Sequence, residues 1–108
     1  MTAIPRHLSP RRGIPGDPLS YRDPLVQLAP GVRGVAVEHA GCTWYPAIVA
    51  EHEGSGDVGR WLDSLDGTAR IPCVTSGRLR GMLERRGWCE RRLWVPEAGE
   101  YVDVWRRK

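Results

Sequence analysis

The chain has 108 residues, 41% of them apolar, with five Trp, no Phe and nine Pro, and a net charge of +3. That length allows one small core built on Val, Leu, Ile and Trp. No apolar run approaches the roughly 20 residues of a membrane span, and the start, MTAIPRHLSPRRGIPG, lacks the continuous apolar stretch of a secretory signal.

Charge is distributed in three zones. Residues 1–34 carry five Arg and two Asp, residues 35–67 one Arg against six acids, and residues 68–108 ten bases against five acids. Zones of opposite sign suit docking against protein neighbours. The first zone is punctuated by Pro5, Pro10, Pro15, Pro18, Pro24 and Pro30, which excludes regular elements longer than a few residues. Apolar and basic residues recur between the prolines: Ile4, Arg6, Leu8, Arg11, Arg12, Ile14, Leu19, Tyr21 and Leu25. The pattern is that of an extended arm, residues 1–34, laying anchors into grooves of its own domain or of a neighbour. A disordered tail is the alternative. The compact domain is expected over 35–108.

Val35–Val37 and Trp44–Ala50 read as strands joined by a turn at His39, Ala40 and Gly41, with Pro46 at an edge or a bulge. A glycine-rich turn follows, EHEGSGDVG, containing Gly54, Gly56 and Gly59. Asp57 is the expected N-cap of a helix whose apolar positions are Val58, Trp61, Leu62 and Leu65. Ile71–Val74 is a short strand. Thr75 or Ser76 caps a second helix with Leu79, Met82 and Leu83 on one face, stopped by Gly87. Leu93–Val95 and Tyr101–Trp105 are the last strands, joined by the turn Pro96–Gly99. The expected fold is α/β (α+β): a small mixed or antiparallel sheet with two helices, β-β-α-β-α-β-β, preceded by the proline-rich arm.

From Trp44 to Trp105 this order, with the glycine turn after a strand and the Gly87–Trp88 pair after the second helix, resembles the C-terminal half of the GNAT-type N-acetyltransferase fold. The resemblance covers about 60 residues. It implies a turn that cradles the pyrophosphate of acetyl-CoA on a helix N-terminus, and so assigns Gly54, Gly56 and Asp57 to that ligand. The sequence departs from the family in two ways. Glu51, Glu53 and Asp57 surround the turn, where carboxylates oppose a pyrophosphate. Leu83 stands where the family's general-acid tyrosine is found, and Leu has no proton to give.

Other chemistry is less well supplied. Cys42, Cys73 and Cys89 are odd in number and widely spaced, against a disulfide scaffold and in keeping with a reducing compartment. With His39 and His52 they lack metal-ligand spacing, and Ser76 has no partnered base at recognisable spacing. The run Arg85–Trp94 interleaves Arg with Trp, which suits nucleic acid through phosphate pairing and stacking. It equally suits a helix end and strand with Trp inward and Arg in water.

These residues predict a non-enzymatic structural or assembly protein with no cofactor, intracellular (cytoplasmic) or carried in a virion. Its arm would bind neighbouring subunits in an oligomeric assembly, as in the head, connector or decoration proteins of a phage. An acetyl-CoA-dependent acetyltransferase remnant is the alternative, and a nucleic-acid-binding accessory protein the third. The arm residues given above are the expected partner-binding positions.

Overall fold

The computed structural model describes residues 14–20 and 23–107. Among these residues, seven strands and two helices follow in the order β1 (Ile14–Pro15), β2 (Val26–Ala29), β3 (Val32–His39), β4 (Cys42–Ala50), α1 (Asp57–Ser64), β5 (Ala69–Pro72), α2 (Gly77–Arg85), β6 (Trp88–Val95) and β7 (Glu100–Arg107). The sheet is mixed and ordered β1-β3-β4-β5-β7-β6, with β2 also on β3. β1–β3 and β4–β5 are parallel, and the remaining pairs are antiparallel.

The expected α+β class and the order β-β-α-β-α-β-β are present from β3 onward. Two further strands lie in the segment read as arm. Val26–Ala29 pairs with β3 and buries Leu28, so the expected boundary after residue 34 falls inside β3. A short apolar island between prolines was enough for a four-residue strand because Gly31 (φ 79°) turns the chain directly into β3. Ile14 pairs with Val37 at the sheet edge, Pro18 is buried, and Leu19 packs on a cluster of the domain itself. Leu25 is exposed. Ile4, Arg6, Leu8, Arg11, Arg12 and Tyr21 lie outside the described residues.

The β3–β4 hairpin turns at Ala40 (φ 51°) and Gly41 (φ 78°), the left-handed pair of a type I′ turn. Its register shifts between Val35↔Ala47 and Val37↔Trp44, which places Pro46 in a bulge as expected and removes the need for its missing N–H. Neighbouring residues of β4 serve opposite faces. Tyr45 enters the main core beneath the helices, with Leu28, Trp61, Leu62, Ile71, Leu83, Trp88 and Trp105. It meets Trp61 of α1 edge to face, 5.0 Å between centroids. Trp44 enters a smaller cluster on the far face with Val95, Val102 and Val104, covered by Leu19, Cys42 and Ala98.

The helices end as their chemistry requires. Ser76 Oγ accepts from Leu79 N at 3.2 Å to cap α2, and Gly87 (φ 77°) stops it. For α1 the N-cap is Gly56 (φ 81°), not Asp57. The left-handed backbone there excludes a side chain at low cost, so Asp57 becomes the first helical residue. α1 has no basic residue in its last turn. Arg107 of β7 supplies one from outside: its Nη1 donates to the carbonyls of Leu62 (3.2 Å), Asp63 (3.4 Å) and Leu65 (3.0 Å), where a cation is favoured by the helix dipole. Among the described residues no helix is long and apolar enough to cross a membrane.

Candidate functional site

The site begins with a break in strand pairing. β4 and β5 are partners only at Thr43↔Ala69 and Trp44↔Arg70. Beyond Trp44, among the described residues, no strand covers the β5 side of β4, while β5 turns to pair with β7. The result is a notch at the seam of two sub-sheets. One wall is Tyr45–Val49 and the other Ile71–Ser76, around a cavity of about 260 Å³. Among the described residues, main-chain groups of β4 from Pro46 to Ala50 on that side have no strand partner, and buried or half-buried peptide groups require one from some source.

The notch opens into a second cavity of about 270 Å³ between the glycine turn and α2, with Ile48, Ser76 and Leu79 lining both. Gly54 (φ 79°) and Gly56 (φ 81°) both take left-handed backbone, which turns the chain from β4 into α1. Gly56 offers no capping side chain; Asp57 N donates instead to Ser55 Oγ at 3.3 Å, and among the described residues the next N–H groups of α1 have no acceptor of that kind. The third glycine has a different reason. A Cβ at Gly59 would overlap the Arg86 guanidinium, with Met82 Cε 3.5 Å away; Gly59 is there for the packing of α1 on α2. The pattern Gly54-x-Gly56-x-x-Gly59 therefore joins two turn glycines to one contact glycine.

The three carboxylates around the turn are not equivalent. Glu51 points away: Gln27 Nε2 donates to its Oε1 at 2.9 Å, and its own N–H donates to Gly31 O at 2.9 Å. Asp57 accepts from Ser55 Oγ at 2.8 Å and forms an ion pair with Arg60. These two partners, Ser55 first, hold its carboxyl below the usual value. Only Glu53 lines the cavity without such a contact, and Arg78 of α2 lines the same cavity from the other side. The expected opposition of three carboxylates is thus reduced to one, Glu53, since Arg60 offsets Asp57 and Arg78 lines the cavity opposite. Sequence reading missed the α2 wall of Ser76, Arg78, Leu79 and Met82, because only the fold brings that turn across from Gly54–Asp57.

Leu83 is buried in the main core, so its position does not face either cavity. Cys73 lies in the notch at φ 55°, and its N–H donates to Asp103 O at 2.9 Å. Burial, then Glu100 and Asp103, push its thiol up, which keeps it protonated and poorly nucleophilic. His39 lies 3.5 Å from Glu97 and edge-on to Trp44, while His52 lines the outer cavity. Among the described residues no group of three or more His, Cys, Asp or Glu converges. The run Arg85–Trp94 does not form one surface. Arg86 pairs with Asp63 at 3.0 Å, Trp88 is buried, and Arg91 and Arg92 point to opposite sheet faces.

Comparison with protein-family models, with curated proteins and with solved structures found no match to this chain.

Proposed function

We propose that the protein binds a coenzyme A thioester along the β4–β5 notch, with the diphosphate at the Gly54–Asp57 turn. The observation that carries this reading is that β5 leaves β4 after Trp44, among the described residues, beside a helix start whose N-cap Gly56 supplies no side chain. A pantetheine arm offers amides in line, which complete a strand ladder as an added strand does. A diphosphate offers acceptors to the N–H groups of α1 beyond Asp57 and charge to Arg78, which lines the cavity. The GNAT-type resemblance noted from sequence points the same way. No acid or base is assigned, because Leu83 has no ionisable group and faces the core; acyl transfer is not part of this reading.

Calorimetry with acetyl-CoA tests it. Binding with Kd below about 1 mM, lost in Gly56→Asp and weakened in Arg78→Glu, is the expected result. No binding up to millimolar acetyl-CoA by the folded protein removes the reading.

A second reading, assembly with other protein subunits, is favoured by a different observation. β6 ends the sheet path, and its residues Glu90–Trp94 are exposed. Trp94 (53% exposed) and Tyr101 (58% exposed) stack edge to face at 5.1 Å beside that edge. An open edge with aromatic side chains is a template for pairing with another chain. A monomeric mass in solution at high concentration, with no partner retained through β6, speaks against it.

A further inference from the structure

Three arginines meet on the sheet face that carries neither helix. Arg70 is the partner of Trp44 across β4 and β5 and so projects to the Trp44 side. Extending the register Ile71↔Trp105 by one residue sets Arg70 beside Arg106. Arg91 is the partner of Val104, two residues from Arg106 on the same face. With Leu93 and Val104 these three line a cavity of about 380 Å³ that shares no residue with the β4–β5 groove.

Strands lie about 4.8 Å apart, and like charges at neighbouring positions repel. Every Asp and Glu of the chain is among the described residues. None of them forms an ion pair with Arg91 or Arg106, for the nearest in sequence are engaged on the opposite face: Glu90 with Arg80 and Asp103 with Arg92. Arg70 is steadied by main-chain oxygens, donating from Nη1 to Gly67 O at 2.7 Å and Ala69 O at 2.9 Å. A concave cluster of cations in which, among the described residues, Arg91 and Arg106 have no carboxylate ion pair calls for an anion from outside.

We propose that this cavity binds the phosphoryl group of a small phosphomonoester. Guanidinium forks match phosphate oxygens two at a time, and three forks supply more donors than a single carboxylate can accept. Leu93 and Val104 give an apolar floor for the organic part of the ligand, and the volume is that of a small-molecule pocket. A polynucleotide backbone offers the same chemistry. The concave shape, and the placement of Arg92 and the exposed Trp94 on the other face, favour the small ligand. The site does not depend on the reading given to the notch.

Calorimetry of the full chain in dilute chloride buffer, with inorganic phosphate and phenyl phosphate as probes, tests the proposal. Phenyl phosphate should bind one per chain, more tightly than inorganic phosphate. Affinity should fall about tenfold or more in the Arg91→Gln/Arg106→Gln double variant and persist in part in Arg91→Lys/Arg106→Lys, which separates recognition from folding. Arg92→Gln and Gly56→Asp should leave it unchanged. Absence of binding by the wild type, or an equal loss in Arg92→Gln, overturns the proposal. So does tighter, Arg91- and Arg106-dependent binding of a single-stranded oligonucleotide of about 12 nucleotides, which would reassign the cavity to a nucleic-acid backbone.

Discussion

Gln27 of β2 holds Glu51 at the end of β4 through a 2.9 Å hydrogen bond from Nε2 to Oε1. The contact spans the fold from a strand that the prolines of the N-terminal zone conceal to the turn that carries the candidate site. It also removes one negative charge from the cavity, where Glu53 remains. Glu53→Gln is therefore expected to tighten acetyl-CoA binding severalfold at low salt, whereas Glu51→Gln should change it by less than about twofold. Parallel calorimetric titrations of the two variants check this; equal effects would mean that Glu51 faces the ligand after all.

Two glycines test backbone contact against side-chain contact. A Cβ at Gly34 would overlap Ala47 O of the neighbouring strand and lie 2.8 Å from Leu28 Cδ1, and neither the ladder nor the core yields easily. Gly34→Ala should cost about 2–3 kcal/mol and lower Tm by roughly 10 °C or more. At Gly59 the obstacle is the far end of Arg86, which can swing out at the loss of its exposed pair with Asp63. Helix propensity gained by Ala offsets that loss, and Gly59→Ala should stay within about 1 kcal/mol of wild type. Thermal denaturation of both variants gives the comparison.

Asp57 sets an acid-side limit on stability. Its carboxyl is held below the usual value by Ser55 and Arg60, so the folded state binds that proton less readily than the unfolded chain. The contribution is complete above the unfolded pKa and is lost as pH falls through the lowered folded one. Denaturation midpoints of wild type and Asp57→Asn should differ by a constant amount from neutrality down to about pH 5 and converge below about pH 4. A gap that persists at the lowest pH would assign the effect of Asp57 to something other than its charge.

Ala40 takes a left-handed conformation (φ 51°) in the β3–β4 turn, where Asn and Gly are at ease and Ala is not. Ala40→Asn is expected to stabilise the protein by about 1 kcal/mol, read as a higher urea midpoint with unchanged slope. No gain would mean that the turn relaxes around Ala40 at little cost.

The elements that were legible in sequence are those with local chemistry of their own. Ser76 and Gly87 bracket α2, and the Trp61–Leu62–Leu65 spacing marks α1, because caps and helical periodicity are written within a few residues. β6 shows the limit. Only Leu93–Val95 was expected, yet the strand begins at Trp88, since an edge strand in solvent has no need of apolar residues at Glu90–Arg92. β2 was hidden by the prolines beside it, and the cap of α1 passed from Asp57 to Gly56 because a positive φ outweighs a good capping side chain. The β4–β5 notch and the Arg70, Arg91 and Arg106 cavity are products of strand order and register, for which no local signal exists.

Arg107 closes the C-terminal end of α1 by three carbonyl contacts, although the two are separated by most of the second half of the chain. During synthesis α1 leaves the ribosome well before the residue that satisfies its last turn, and β5 waits likewise for β7. Contacts of such long sequence separation slow folding and bind its parts into one transition. A truncated product ending before β7 should be a target for proteases rather than a smaller working domain.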